Sequence, residues 1–331
     1  MVFPAIFDRH VTYKFSKSMK KGIAGISVII IVVVAASFYP VTKNSTININ
    51  ATFDNTFNQV LHINKWKNWY PEISKSFQKD SGAYHISEDS SKKIYRISIP
   101  GNTFTIHALS PMTYNVIDSG HSYKNFAFTV FPGENSGKMK IYLTQKVPLI
   151  TTLFSSEDSV TNPLNGLKSF LETPKELYGY NIEMSQIRDP VIASLPLKTI
   201  NKNIFNEMEN ARNKLMHYVE KNKLKKTGVV SVSYIPLMHD SIQITVGIPV
   251  DKSAPPAENI KCLQLPAKGR VLTADYSGIF SNRFHIYQAM SKYLTDHTLS
   301  IPAESFERYL NDSLPTSDSS QIKMELNYPV Y

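Results

Sequence analysis

The stretch Ser305-Phe306-Glu307-Arg308-Tyr309-Leu310 decides how the C-terminal half of this chain is read. Side chains of an extended strand alternate between faces, so Ser305, Glu307 and Tyr309 share one side. An earlier stretch, Val230-Ser231-Val232-Ser233-Tyr234, carries Val230, Val232 and Tyr234 in the same phase. That earlier face is mostly apolar and points inward, so Glu307 stands on a core-facing position where its counterpart is a valine. A carboxylate placed there is either drawn to an edge and solvated, or buried with a cationic or hydrogen-bonding partner.

The correspondence extends outward into an internal repeat. Tyr218-Val219 followed by Leu224 matches Tyr293-Leu294 followed by Leu299 at the offset that superposes the two strands. After a loop five residues longer in the second copy, Ile242, Ile244, Val246, Ile248, Pro249 and Val250 fall on Ile322, Met324, Leu326, Tyr328, Pro329 and Val330. Upstream, Ile182 to Ile187 matches Ile260 to Leu265. Each copy reads as strand, helix, strand, strand, and such repeats precede any fold assignment. The first helix, about Asn203 to Asn222, keeps Ile204, Met208, Ala211, Leu215 and Tyr218 on one face; in the second, Phe284, Tyr287, Met290 and Leu294 form the corresponding stripe. Two such units are expected to pair about a pseudo-twofold axis, with their two sheets leaving a groove for a ligand.

Residues 181–331 thereby resemble the GyrI-like, or AraC-type effector-binding, domain. The likeness is carried by Ala274-Asp275-Tyr276-Ser277-Gly278, by Phe306-Glu307-Arg308-Tyr309-Leu310-Asn311-Asp312, and by Glu325-Leu326-Asn327-Tyr328-Pro329-Val330. The resemblance implies a cavity in which the glutamate at 307 pairs with cationic ligands, with Tyr309, Tyr276, Tyr287 and Tyr234 as candidate aromatic lining. Carboxylates and tyrosine π-faces both favour positive charge. It also implies an alternative, hydrolysis of reactive small molecules by Glu307 assisted by Tyr309 or Tyr276. Glu325 lies opposite Met324, Leu326 and Tyr328 and is expected to be solvated.

Residues 45–178 read differently. Ser45 to Ala51 alternates as a half-buried strand, and the only two tryptophans stand together in Trp66-Lys67-Asn68-Trp69-Tyr70-Pro71. Short alternating runs follow at Ile94–Ile99, Thr103–His107, Tyr114–Ile117, Phe126–Phe131 and Met139–Val147, separated by turn formers such as Pro100-Gly101 and Pro132-Gly133. Pro163 to Leu177 closes the region with Leu164, Leu167, Phe170 and Leu171 at helical spacing. This order resembles the START-like, polyketide-cyclase (SRPBCC) superfamily in its helix-grip form, which implies a curved antiparallel sheet around a long final helix and a cavity for an apolar ligand. Trp66 and Trp69 either contact that ligand or plug the core between helix and sheet.

The chain of 331 residues is 42% hydrophobic, enough for two packed domains, and the fold class expected is α+β. The net charge is +9, but Arg9, Lys14, Lys17, Lys20 and Lys21 against Asp8 put +4 of it in residues 1–21. The remainder is mildly basic and carries no helix-turn-helix, zinc-finger or basic-zipper spacing, so no nucleic-acid partner is expected. The multidrug regulators of the effector-binding family fuse that module to a DNA-binding helix-turn-helix; here a membrane anchor and a START-like domain are expected to stand in its place. Residues 22–42 contain no charged residue and include Ile26-Ser27-Val28-Ile29-Ile30-Ile31-Val32-Val33-Val34-Ala35-Ala36. At 1.5 Å per residue this suits a bilayer core of about 30 Å, and the basic residues 1–21 before it place the N-terminus in the cytoplasm. The two domains would then be extracytoplasmic, and periplasmic if an outer membrane is present. A cleavable signal peptide, with Val34-Ala35-Ala36 as its weak processing site, and a buried core helix are the rivals to this anchor. One cysteine, Cys262, excludes an internal disulfide and any cysteine-based metal site. No metal or cofactor is expected, since His107 stands alone without ligand spacing and no phosphate-binding, dinucleotide or Gly-x-Ser-x-Gly fingerprint occurs.

Overall fold

The computed structural model describes residues 26, 31–34, 37, 39–120, 125–133, 138–149, 164–266 and 268–331. They fall into two compact units, one drawn from Met1–Asn48, Phe57–Phe131 and Lys140–Gly166, the other from Ile49–Thr56, Pro132–Met139 and Leu167–Tyr331. Each is built on an antiparallel sheet, so the chain is α+β. Most of the expected span 22–42 lies outside the described residues. Among the described residues no helix is long and apolar enough to cross a membrane. At its C-terminal end, Pro40 to Thr42 belong instead to the first strand.

In the first unit, strands β1 (Pro40–Ile49), β2 (His85–Asp89), β3 (Ile94–Ile99), β4 (Asn102–Ser110), β5 (Thr113–Asp118), β6 (Phe126–Pro132) and β7 (Met139–Pro148) are ordered β1-β7-β6-β5-β4-β3-β2. Alternation picked out all of them except β2, whose sequence His-Ile-Ser-Glu-Asp is almost wholly exposed and so has no apolar face to show. Helices α1 (Phe53–Leu61), α2 (Trp66–Trp69) and α3 (Pro71–Lys79) lie between β1 and β2. Trp66 and Trp69 are 0% and 2% exposed, with ring centroids 4.8 Å apart. Their indole N–H groups donate to the carbonyls of Val60 (3.0 Å) and Gln59 (3.2 Å), and Trp66 packs on Tyr70, Tyr114 and Phe128. Their polar atoms are thereby consumed by the fold, as burial of an indole demands. Gly166 sits against this pair, where a Cβ would collide with the Trp69 carbonyl oxygen.

The long closing helix expected over Pro163–Leu177 is two short ones, α4 (Asn165–Glu172) and α5 (Pro174–Tyr178). Thr173 between them is extended, at φ −102° and ψ 108°. The ring of Pro174 disfavours helical geometry at the residue before it and removes the amide a continuous helix would use.

The second unit has one sheet of eight strands: β8 (Ile182–Gln186), β9 (Val191–Ile200), β10 (Ser231–Pro236), β11 (Ser241–Pro249), β12 (Lys261–Gln264), β13 (Arg270–Ile279), β14 (Phe306–Tyr309) and β15 (Gln321–Pro329). Their order, β12-β9-β11-β10-β14-β15-β13-β8, reads the same from both ends once each strand is replaced by its repeat equivalent. Three expectations need correction here. Each copy contains a further strand before its helix, β9 or β13. In β9 three successive residues, Ala193, Ser194 and Leu195, are buried and Pro196 interrupts the run, so alternation is absent. The copies also exchange edge strands, since β8 pairs with β13 and β12 with β9. Finally, the halves make one sheet, joined where Ser231 and Val232 of β10 face Arg308 and Glu307 of β14. Helix α6 (Ile204–Lys221) buries Ile204, Met208, Ala211, Leu215 and Tyr218 as its spacing requires. Helix α7 (Phe284–Asp296) buries Ile286, Ala289, Met290 and Leu294, while Phe284 is 48% exposed. Met290 and Leu294 of the expected stripe are buried and Tyr287 packs against the core, so only Phe284 departs from it; the residues matching the first turn of α6 form a 3-10 turn, Phe280–Arg283.

Candidate functional site

Glu307 is fully buried. Removing a carboxylate from water costs several kcal/mol and is tolerated only with close partners. Three donors supply them, each from a different element. On its own strand, the Tyr309 hydroxyl donates to Oε2 at 2.5 Å, two residues along on the same face. From α7 the Tyr287 hydroxyl donates to Oε1 at 2.7 Å. From the end of the 3-10 turn, Arg283 Nε donates to Oε1 at 2.8 Å. Of the two readings left open at this strand, the structure takes the buried one, and the cation comes from the chain itself.

Aromatic rings surround the pair. The Arg283 guanidinium carbon lies 3.5 Å from the Phe280 ring centroid and 5.0 Å from that of Tyr234, within cation–π range. The Tyr234 and Tyr309 hydroxyls are 2.9 Å apart. Because Tyr309 gives its proton to Glu307, Tyr234 is the donor in that bond. Burial, and then the Glu307 charge, push Tyr287 far above the ordinary phenol range; burial and the neighbouring Tyr234 and Glu307 do the same to Tyr309. Both therefore remain O–H donors. Burial works against the charge on Arg283, but Glu307 beside it prevails and leaves its pKa above the usual value.

The structure brings together four of the residues singled out in the sequence, Glu307, Tyr309, Tyr287 and Tyr234. Tyr276 stands apart: its hydroxyl donates to the Ile279 carbonyl at 2.7 Å, bracing the entry to the 3-10 turn. A Cβ at Gly278 would lie 2.7 Å from that hydroxyl, so the close approach needs glycine. Trp66 and Trp69 belong to the core of the first unit and take no part in this cluster.

Arg283 was not anticipated, although the signal was present. Carrying the offset that matches Tyr218 to Tyr293 back along the helix places Arg283 on Met208, just as Glu307 falls on Val232. An apolar pair in one copy is an ion pair in the other. An open groove of about 950 Å³, including space continuous with solvent, runs along α7 past Tyr287, Gln288, Ser291, Lys292 and Tyr328. Its wall residue Tyr287 is the one whose hydroxyl rests on Glu307.

Glu325 is corrected: it is 6% exposed rather than solvated. Arg308, its cross-strand neighbour, donates to it from Nη1 at 2.8 Å and to Asp189 from Nη2 at 3.1 Å, and Arg188 lies 3.2 Å from its other oxygen. Alternation correctly placed Glu325 on the face away from the helices, but that face is covered locally by the segment carrying Arg188 and Asp189. Among the described residues no group of three or more His, Cys, Asp or Glu side chains is disposed to hold a metal ion.

No family model matches the chain, and neither does any curated protein. Among solved structures, EcmrR in its DNA complex is similar over 46% of this chain and 57% of that one, at 15% identity and a TM-score of 0.38. An uncharacterized conserved protein from Listeria innocua is similar over 45% of this chain and 92% of its own, at 14% identity and a TM-score of 0.35. SAV2435, solved bound to tetraphenylphosphonium, is similar over 45% and 93%, at 16% identity and a TM-score of 0.31.

Proposed function

We propose that the second unit is a GyrI-like small-molecule-binding module in which Glu307 receives the positive charge of a lipophilic cation and Tyr234, Tyr287 and Tyr309 receive its apolar surface. The observation that carries this reading is a fully buried carboxylate held by phenols and a guanidinium at the join of two repeat halves, beside an open groove. Buried carboxylates are costly, and their concentration with aromatic rings at one position of a duplicated fold marks a site for charge recognition. On this reading the first unit is a START-like helix-grip domain, supported by its strand order and by the helices between β1 and β2. The apolar segment that starts at residue 22 and ends before β1 anchors both domains to a membrane with residues 1–21 in the cytoplasm. Retention of the chain in membranes after alkaline washing tests the anchor, and release into the wash would remove it.

The binding reading is tested by thermal unfolding of the full-length chain with lipophilic cations, tetraphenylphosphonium among them, and with neutral compounds of the same shape. A ligand of the folded state raises the unfolding temperature with concentration. The expected result is a rise with cations alone, lost in Glu307→Gln; no rise with any cation would sink the reading. Hydrolysis by Glu307 is the less favoured alternative. A general base needs an oxygen turned to water, whereas three donors occupy both carboxylate oxygens here. Both readings need one of the three to leave, and binding asks nothing further of the freed oxygen, whereas a general base must also be reached by water.

A further inference from the structure

The donor best placed to leave is Arg283, and this has a consequence for which ligands the site accepts. Its side chain is 20% exposed whereas that of Glu307 is 0% exposed, so the arginine side chain reaches the protein surface and the carboxylate does not. It meets Glu307 through a single N–H, Nε, rather than through a two-pronged contact. Its Nη1 donates instead to the Phe280 carbonyl of its own turn at 3.2 Å, and its guanidinium carbon lies 3.5 Å from the Phe280 ring centroid. Both partners travel with the turn, so they remain available after the bond to Glu307 breaks. The turn itself is a four-residue 3-10 segment, whose hydrogen bonds are poorer than those of the α-helix found at the same place in the first copy.

We infer that Arg283 is a tethered occupant of the ligand's charge position, so that a cation enters only by displacing the guanidinium from Glu307. This rests on the reading of Glu307 as the binding carboxylate. Binding is then an exchange of one positive charge for another, and charge alone gives the ligand no advantage. A successful ligand must add apolar surface that a guanidinium lacks, which selects bulky lipophilic cations over small hydrated ones. The affinity observed is the intrinsic affinity lowered by the fraction of molecules in which Arg283 has vacated the site.

The test is calorimetric titration of the full-length chain with tetraphenylphosphonium and with neutral triphenylphosphine oxide, comparing the native protein with Arg283→Gln, which keeps a hydrogen-bond donor but no charge. If Arg283 holds the site in nine molecules of ten or more, the variant binds the phosphonium at least about tenfold more tightly. Affinity for the neutral oxide stays the same, and the gain vanishes in Arg283→Gln combined with Glu307→Gln. Equal phosphonium affinity in the native protein and the variant overturns the displacement mechanism and leaves the binding reading standing. No phosphonium binding by either protein overturns both. Should Arg283→Gln not fold, the Arg283 Nε–H resonance of the native protein is followed by NMR during the phosphonium titration: loss of its bond to Glu307 in step with saturation is expected, and an unchanged resonance overturns the displacement.

Discussion

In the first copy of the repeat the inward-facing positions are Met208 on α6 and Val232 and Tyr234 on β10; in the second they are Arg283, Glu307 and Tyr309. The backbone register is the same, since Val232 faces Val246 in one copy and Glu307 faces Leu326 in the other. The outward-facing pair differs in the same sense: Ser233 opposite Thr245 becomes Arg308 opposite Glu325. Thus β14 carries an ion pair on each face where β10 carries none. One copy shows what the fold needs at these positions, which is apolar volume inside and small polar groups outside. The charges in the other copy are therefore additions that the fold does not require.

The largest test of this comparison is to convert one copy into the other. Arg283→Met leaves the buried Glu307 with only its two phenol donors, and breaking a buried pair in this way costs about 3–5 kcal/mol. Glu307→Val alone costs less, because Arg283 can turn outward. The double variant installs the pair of the first copy and should regain most of the loss, read as the second-unit transition in urea. If the two single losses simply add, the charges are coupled to something other than each other.

The tyrosines sharpen the contrast. Tyr309→Phe removes a donor to a buried carboxylate, worth about 1.5–3 kcal/mol, whereas Tyr234→Phe removes bonds to neutral partners, worth about 0.5–1.5 kcal/mol. The reverse order in denaturant unfolding would contradict the assignment of Tyr309 as the donor to Glu307. On the outer face, Glu325→Gln is expected to cost about 1.5 kcal/mol, the low end for a hydrogen bond to a charged group, because Arg308 keeps Asp189 as a partner. A larger loss would mean that the outer pair, and not the inner one, locks the two halves.

The smallest effect over the ordinary pH range comes from the phenols. Tyr234, Tyr287 and Tyr309 have folded-state pKa values raised above the ordinary value of 10.0, by burial first in each case. A raised folded-state pKa gives stability that is fully present below the unfolded value and lost as pH rises above it. Unfolding free energy should therefore be insensitive to these groups up to about pH 10 and fall beyond it. Removing a hydroxyl, as in Tyr287→Phe, should make that fall shallower. Phenolate absorbance from these residues should emerge only together with unfolding.

Spacing and internal comparison were enough to find the shared face of Glu307 and Tyr309 on β14 and six of the seven strands of the first unit. These features depend on local geometry, because the pleat of a strand turns sequence alternation directly into burial. They did not reveal Arg283 as the partner of Glu307, since the second-helix stripe is read from Phe284 onward and Arg283, the match of Met208, stands one residue before it. They did not reveal the exchange of β8 and β12, the single continuous sheet, or the buried state of Glu325. Each of these depends on which distant segments come to lie side by side. The sequence by itself determined that Glu307 stands on the face that is mostly apolar in the first copy, because alternation and the repeat are written in neighbouring residues; that the carboxylate is buried there was decided by the packing. Only the tertiary structure decided what neutralises it, because a buried charge is satisfied by whichever donor the packing brings within about 3 Å, and here that donor sits on another element, 24 residues away.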